Sequence, residues 1–576
     1  MLDRPTDAER AAVDALVGLA VGVNGRVVHG GHAARAQRHL LLPALHAAQD
    51  AAGAVSKGAL SYICDRLTIP PAEAYGVATF YALFDVDGPG GPTIHVCDDI
   101  VCAQYGAEDL CAALDESGTG YERSPCLGQC DRAPAAMFHQ PGAGYGNAAP
   151  ADTTTVGTPV FDELPPGVVH QDPTDLTLLR RIGVVDPESL DSYCDTGGFE
   201  ILARAREMGP DAVIEELKKS NLRGRGGAAF PIGIKWEGVR DAPGDEKFVI
   251  ANGDESEPGT FKDRLIMEGD PFAIVESMAV YGFVTGASKG FVYVRGEYPV
   301  AERRLTAAID QSREAGHLQG FTLEVRRGAG AYICGEETAL FASIEGHRGE
   351  PRQKPPFPTQ SGVFGKPTGI NNIETLLAAL HVIEVGGDAF AAIGTEQSTG
   401  PKLFCVSGAV ARPGVYEVAF GATLSELLDL AGGMRGDRGL GAVLMGGAAG
   451  VFADSSAMDV PLTFEDTRAA GTTLGSGSMI IFDDQTDFGP VLRRIAQFFR
   501  DESCGQCVPC RIGTVRQEEA LARLSVGQPL DSVGEERKRL DDLAVVMTDA
   551  SICGLGQTAS TAVQSAMRLG LTGVPA

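Results

Sequence analysis

The chain is predicted to be a multidomain α/β protein with helical segments at both ends. Three observations predict it. At 576 residues and 60.2 kDa it exceeds what one core ordinarily supports. Within residues 247–340, short β-rich runs (KFVIANGDESEPG, GFVYVRGEYP, FTLEVRRGAGAYICGEETAL) break into Gly-rich or acidic loops, and apolar-periodic segments near 271–286 and 299–315 separate them. That alternation describes parallel strands with crossover helices, a Rossmann-like layout whose loops gather at the strands' carboxyl ends and there bind a nucleotide. Finally, eight of the thirteen cysteines fall into two groups with ligand-like spacing, one towards each end of the chain.

Composition narrows the function classes. The sequence is 44% hydrophobic and 22% charged, as in an ordinary globular protein. A formal net charge of −28 without a basic tract argues against nucleic acid or an anionic membrane as partner. No apolar run approaches the roughly 20 residues of a membrane span, and MLDRPTDAERAAVDALVG has no basic flank leading into an apolar core. The expectation is a cytoplasmic protein. The ten His offer neither an HExxH zinc site nor a triad. An odd number of Cys in such a chain argues against a disulfide framework. Cys64, Cys111, Cys194, Cys334 and Cys405 stand alone and read mostly as small core residues.

The first cysteine group lies in PTIHVCDDIVCAQYG (Cys97, Cys102) and SPCLGQCDRAP (Cys126, Cys130). TIHV reads as a strand that delivers Cys97 into a loop. Two loops with two thiolates each can hold the two irons of a [2Fe–2S] cluster, with zinc as the alternative.

Three stretches suit nucleotide contact. NLRGRGGAAFPIGIKW, residues 221–236, does not read G-x-G-x-x-G and follows the helical-looking VIEELKKS; it implies close backbone approach or a flexible turn. GAGAYICGEETAL, residues 328–340, follows a strand and opens a helix, and GINNIETL, residues 369–376, precedes an apolar helical run. Helix starts of this kind suit a phosphate. Their co-occurrence is a stronger signal than any one of them.

In ESCGQCVPCRIG, Cys504, Cys507 and Cys510 stand at C-x2-C-x2-C, the spacing that presents three corners of a [4Fe–4S] cube. Arg511, Ile512 and Gly513 follow where bacterial ferredoxins have a further Cys three residues on. Cys553 is the only later Cys and the candidate fourth ligand. A helical hairpin, out through QEEALARL and back through ERKRLDDLAVVMTDA with a break at GQPLDSVG, returns the chain to the site. Zinc remains the alternative here too.

RGRGGAAFPIGIKW, ANGDESEPGTFKDR, GAYICGEETAL, ESCGQCVPCRIG and SICGLGQT together resemble the NADH-binding flavoprotein subunit of respiratory complex I. The N-terminal segment LLPALHAAQDAAGAVSKGALSYICDRLTIPPAEAYGVATFYALF, with the first cysteine group, resembles that complex's smaller [2Fe–2S] flavoprotein. Fusion of the two resembles the diaphorase subunits of soluble NAD-dependent formate dehydrogenases and NAD-reducing hydrogenases, and the reading favours formate.

The resemblance implies FMN, NAD, [2Fe–2S] and [4Fe–4S], with a catalytic partner subunit that carries further iron–sulfur clusters and, for formate, a molybdenum- or tungsten-pterin centre. It implies N-terminal helices (1–86), a thioredoxin-like [2Fe–2S] domain (87–140), a linker (141–185), an FMN- and NAD-binding α/β domain (186–400), a β-grasp domain (401–486) and a helical [4Fe–4S] domain (487–576). By position, Gly224, Gly226 and Gly227 let backbone lie against the nucleotides, and Lys235, Asn252, Asp254, Glu255, Gly335, Asn371, Asn372 and Thr375 meet the flavin, with Tyr332 at its edge. Phe230 and Phe357 lie near the adenine and Lys354 beside the dinucleotide, while Glu257, Glu336 and Glu337 line the NAD pocket, Glu257 and Glu337 as the catalytic pair. Gly238 stands where the family often has an aromatic. Hydride transfer is cofactor chemistry, so no catalytic His is expected.

Overall fold

The computed structural model describes residues 4–18, 37–86, 88, 90–158 and 167–571, with the backbone of 22–23 and 26–27. Parts of the expected N-terminal helical region and of the expected 141–185 linker lie outside the described residues.

The N-terminal helices are Asp7–Val17, Leu41–Ala52, Lys57–Leu67 and Pro71–Ala78. Thr6 and Glu9 close a capping box on the first, Ser56 caps the third and Pro71 opens the fourth. They pack on the flavin domain: a His46 ring nitrogen lies 3.1 Å from the Gly328 carbonyl, and Tyr81 donates to the His347 carbonyl at 2.9 Å.

The [2Fe–2S]-type domain is a sheet of β1 (Thr93–Cys97), β2 (Glu122–Ser124), β3 (Ala136–Gln140) and β4 (Gly144–Ala148), in the order β2-β1-β3-β4. Helix Ala107–Ser117 covers one face, and Leu110, Cys111 and Leu114 pack against Val96, Ala136 and Phe138. Here the structure departs from the expected boundary. GYGNA lies beyond residue 140 and looks like linker because its residues are small, yet it pairs antiparallel with the free edge of β3, and the short helix Thr153–Gly157 follows.

The flavin domain is built on a parallel sheet of β5 (Phe248–Gly253), β6 (Lys289–Val294), β7 (Thr322–Arg327) and β8 (Thr368–Asn372), ordered β8-β5-β6-β7. The strands run in register, with Asn252 opposite both Asn372 and Tyr293. Their carboxyl ends therefore finish level, and their loops open on one edge of the sheet. Helices Pro271–Thr285 and Pro299–Glu314 make the expected crossovers.

Next comes a mixed five-stranded sheet of β9 (Pro401–Gly408), β10 (Gly414–Ala419), β11 (Leu440–Met445), β12 (Val451–Ala453) and β13 (Ser478–Asp483), ordered β10-β9-β13-β11-β12. It has a small core of its own around Phe404, Leu427 and Ile481. The last domain is helical: Phe488–Asp501, then Val508–Ser525 and Val533–Ala550 as the expected hairpin, then Gly554–Thr558 and Thr561–Arg568. One continuous apolar core joins the N-terminal helices, the flavin sheet and this bundle. Among the described residues no helix is long and apolar enough to cross a membrane.

Candidate functional site

Four loops meet at the carboxyl edge of the parallel sheet. The Gly-rich loop closes on itself, with the Gly224 amide bonded to the Phe230 carbonyl at 2.9 Å and the Arg225 amide to Thr375 Oγ1 at 2.8 Å. A Cβ on Gly226 would fall 3.0 Å from Asn372 Cβ, and Gly227 has φ +110°, a conformation that excludes most side chains. The loop therefore offers bare backbone. Beside it Lys235 Nζ bonds the Ile370 carbonyl at 3.0 Å and lies 5.8 Å from the Phe230 ring centre; burial pulls its pKa down. Phe230 and Phe357 are 48% and 54% exposed and so leave ring faces on which a flat ligand could stack.

The loop after β5 carries the acids. Asn252 Nδ2 donates to the Gly335 carbonyl at 2.9 Å, and Asp254 is buried behind Gly335, whose Cβ would lie 3.3 Å from its carboxylate. Burial pushes Asp254 up to about 8. Glu255 has φ +32°, and its carboxylate accepts the Asp263 and Arg264 amides at 2.8 Å each. It caps the next helix and does not face the cleft, and burial pushes it up to about 8. Glu257 accepts the Tyr332 hydroxyl at 2.5 Å and the Ala449 amide at 2.8 Å; burial pushes it up to about 7 against the pull of those two bonds.

The loop after β7 supplies Tyr332, Gly335, Glu336 and Glu337. Glu336 caps helix Glu337–Ile344 by accepting the Thr338 and Ala339 amides, and Lys354 bridges Glu336 and Glu337. At the end of β8, Asn371 accepts from Trp236 Nε1 at 3.0 Å, and Asn372 caps helix Ile373–Val385 while donating to Asp263 at 2.6 Å. The side chains of Glu255, Asn371 and Thr375 thus hold loops in place, and what these positions turn to the cleft is backbone. Gly238 lies in helix Ile232–Arg240, where an added Cβ would meet Thr359 at 3.8 Å. The whole cradle, with its exposed glycine backbone, helix starts and one ammonium, fits a flavin phosphate ester.

Both cysteine groups assemble. Cys97, Cys102, Cys126 and Cys130 are each at most 3% exposed, with Cys126 Sγ 3.3 Å from Cys130 Sγ. Cys97 ends β1, Cys102 lies in helix Ile100–Gln104, and the Asp99 carboxylate fixes the second loop by accepting the Cys126 amide at 3.0 Å. At the other end Cys504, Cys507, Cys510 and Cys553 line one recess with Ile333 and Leu555. Cys507 and Cys553 sit at the N-caps of helices Val508–Ser525 and Gly554–Thr558. Burial pushes the Cys510 and Cys553 thiols up to about 12 and about 11, so bound iron is what would hold them as thiolates. Among the described residues no three His, Cys, Asp or Glu side chains are placed to hold a single metal ion. A cluster brings its own bridging sulfides and spans wider thiol spacing. Of the five isolated cysteines, Cys194 is exposed and the other four are buried.

With this geometry, comparison with known proteins is decisive. The family model "Nuo51 FMN-binding domain" matches residues 217–381 and "Thioredoxin-like [2Fe-2S] ferredoxin" matches 30–156. "SLBB domain" matches 403–445 and "NADH-ubiquinone oxidoreductase-F iron-sulfur binding region" matches 490–569. An NADH-quinone oxidoreductase subunit of Rhizobium meliloti (strain 1021) is 42% identical over 403 residues, 68% of this chain and 94% of that protein. The chain belongs to the FMN-binding flavoprotein family of NADH-quinone oxidoreductases.

As a member of that family it is an NAD-dependent oxidoreductase that binds FMN, a [2Fe–2S] and a [4Fe–4S] cluster, with NAD as substrate. The iron–sulfur families displace the zinc alternative at both cysteine groups. The HndC component of the NADP-reducing hydrogenase of Solidesulfovibrio fructosivorans is 42% identical over 397 residues, 67% of this chain and 80% of that one. A chain in the crystal structure of an air-oxidized NAD+-reducing [NiFe]-hydrogenase is 30% identical, with a TM-score of 0.81 over 94% of both chains.

Reading the sequence missed two partners of the site, Ala449 from the small sheet domain and Glu502 beside the second cysteine group. Glu502 accepts the Tyr332 amide at 2.9 Å. It stands inside ESCGQCVPCRIG, but nothing in its spacing marks a contact with a loop 170 residues away.

Proposed function

We propose that this chain is the diaphorase subunit of an NAD-dependent formate dehydrogenase, exchanging hydride with NAD and passing electrons singly to a partner catalytic subunit. One observation carries the diaphorase reading. The loop after β7 touches both redox sites: Tyr332 bonds Glu257 in the nucleotide cleft, and the next residue, Ile333, lines the recess of the [4Fe–4S] thiols.

The cleft residues would hold FMN and the two thiol groups the clusters, which would supply the change from a two-electron hydride to single electrons. The chain's own residues position and screen. Gly226, Gly227 and the caps of helices Glu337–Ile344 and Ile373–Val385 receive the flavin, with Asn252, Asp254 and Lys235 beside it. Phe230 and Phe357 clamp the adenine, and Glu257, Glu336, Glu337 and Lys354 orient the nicotinamide half. Cys97, Cys102, Cys126 and Cys130 hold the [2Fe–2S] cluster, and Cys504, Cys507, Cys510 and Cys553 the [4Fe–4S] cluster.

Formate as the partner's substrate, oxidised at a molybdenum- or tungsten-pterin centre, follows from the fused-subunit resemblance. Hydrogen is the second reading, supported by the match over 94% of both chains to a component of an NAD+-reducing hydrogenase. Co-purifying the native complex and assaying NAD reduction with formate and with hydrogen tests the choice. Turnover with hydrogen alone would replace formate, and an isolated chain that contains FMN yet oxidises no NADH would overturn the diaphorase reading.

A further inference from the structure

Oxidising NADH to NAD+ releases two electrons and one proton. The electrons leave through the clusters, so one proton per turnover must reach solvent by its own route. Behind the acidic loop lies a chamber of about 140 Å³, room for about four waters. Its wall includes Ser256, Arg295, Glu297, Tyr332 and Glu502. Through Arg123, Pro125, Gly330 and Phe498 it adjoins a cleft of about 1260 Å³ whose rim carries the half-buried Arg500 and the exposed Asp501.

Two features mark the chamber as functional. Glu297 is 5% exposed; its Oε1 accepts from Arg295 at 2.8 Å, but Oε2 has no hydrogen-bond partner. A buried carboxylate oxygen without a partner beside a polar cavity calls for water. On the other side, Ser256 Oγ donates to Asp254 Oδ2 at 2.8 Å, and Asp254 stands directly behind Gly335 of the flavin cradle.

We propose that this chamber is the exit for the proton released from NADH, with the Asp254–Ser256 pair as its entrance and Glu297 as the carboxylate that relays the proton towards the outer cleft. The proposal rests on the placement of flavin beside Asp254 under Proposed function. Asp254 is raised to about 8, chiefly by burial, so it holds a proton at neutral pH and can exchange it with water. The groups facing it are Arg295, which favours its charged form, Glu297 and Glu502, whose charges disfavour it, and the buried Cys334, Tyr81 and Tyr293. Those facing Glu297 are Arg295, His95, Asp254 and Glu502.

Single-turnover measurements on the whole protein test this. NADH should bleach the flavin absorbance and ferricyanide restore it. Glu297→Gln keeps the shape and the bond to Arg295 but cannot carry the proton. It should leave FMN content and the bleaching rate intact, slow restoration about tenfold or more, and enlarge the solvent deuterium isotope effect on that phase. Ser256→Ala should do the same by breaking the entrance, and it alone decides should Glu297→Gln fail to fold. Restoration rates and isotope effects matching the parent's in every variant that folds would overturn the proposal, placing proton exit in the nucleotide cleft. A parent protein with FMN that NADH does not bleach would overturn the diaphorase reading instead.

Discussion

Tyr332 donates its hydroxyl to Glu257 Oε2 at 2.5 Å, latching the loop after β7 to the loop after β5. The backbone amide of Tyr332 bonds Glu502, and its ring packs edge-on against Phe498 at 5.0 Å, so the latch is anchored in the helical domain. The Ala449 amide reaches Glu257 from the small sheet domain. The Glu257 carboxylate thus ties its own domain to the small sheet domain, and its partner Tyr332 carries the connection on to the helical domain.

Tyr332→Phe tests this latch through pH. Burial raises Glu257 to about 7, and the tyrosine hydroxyl pulls in the opposite direction. A hydrogen bond of roughly 0.5–1.5 kcal/mol is equivalent to about half a unit to one unit. The phenylalanine variant should therefore ionise Glu257 at higher pH, and the acid limb of kcat/KM for NADH should move up by that amount. An unchanged pH profile would show that ionisation of Glu257 does not govern the reaction.

Gly226→Ala tests the flavin cradle. The new methyl would stand 3.0 Å from Asn372 Cβ, too close without movement of the loop. Crowding of this kind costs about 1–3 kcal/mol, so FMN retention after gel filtration should fall about tenfold or more while both cluster spectra persist. Full FMN occupancy in the variant would place the flavin elsewhere.

Glu337→Ala should raise KM for NADH about tenfold or more and leave the unfolding temperature nearly unchanged. Glu337 pairs with Lys354 at a partly exposed position, where an ion pair adds little stability. A large drop in Tm with normal KM would mean that the pair is structural.

The cysteine ligands can be separated by spectroscopy. Cys553→Ser should remove or convert the [4Fe–4S] signal in electron paramagnetic resonance and leave FMN and the [2Fe–2S] spectrum in place. Neither Cys405, which accepts the Phe261 amide at 3.2 Å, nor the fully enclosed Cys334 is free to replace it. With the partner subunit present, Cys507→Ser should abolish partner-linked turnover but spare dye reduction, and Cys97→Ser should spare much of both. Equal loss of partner-linked turnover in the two variants would contradict an off-path [2Fe–2S] cluster.

Much of the site was legible because its signals are local. Cys504, Cys507 and Cys510 converge because three-residue steps at a helix start aim side chains one way, and the return to Cys553 follows from two apolar-periodic runs with a Gly-Pro break. The Gly-rich and acidic loops were visible as breaks after β-rich runs. GYGNA was not legible as a strand, since its small residues carry no alternation and only the free edge of β3 makes them one.

The sequence by itself determined the redox inventory, the order of the modules and the grouping of eight cysteines into two sets, because spacing and periodicity act over a few residues. Tertiary structure alone decided which side chains face the cleft and which brace it. Glu255, Asn371 and Thr375 occupy flavin-loop positions, yet packing turned them to a helix start, to Trp236 and to the Arg225 amide. It likewise joined Glu257 to Ala449 across 192 residues and left Glu297 with an unpartnered oxygen beside a chamber. Such contacts depend on how separate domains close on one another, and no local pattern encodes that closure.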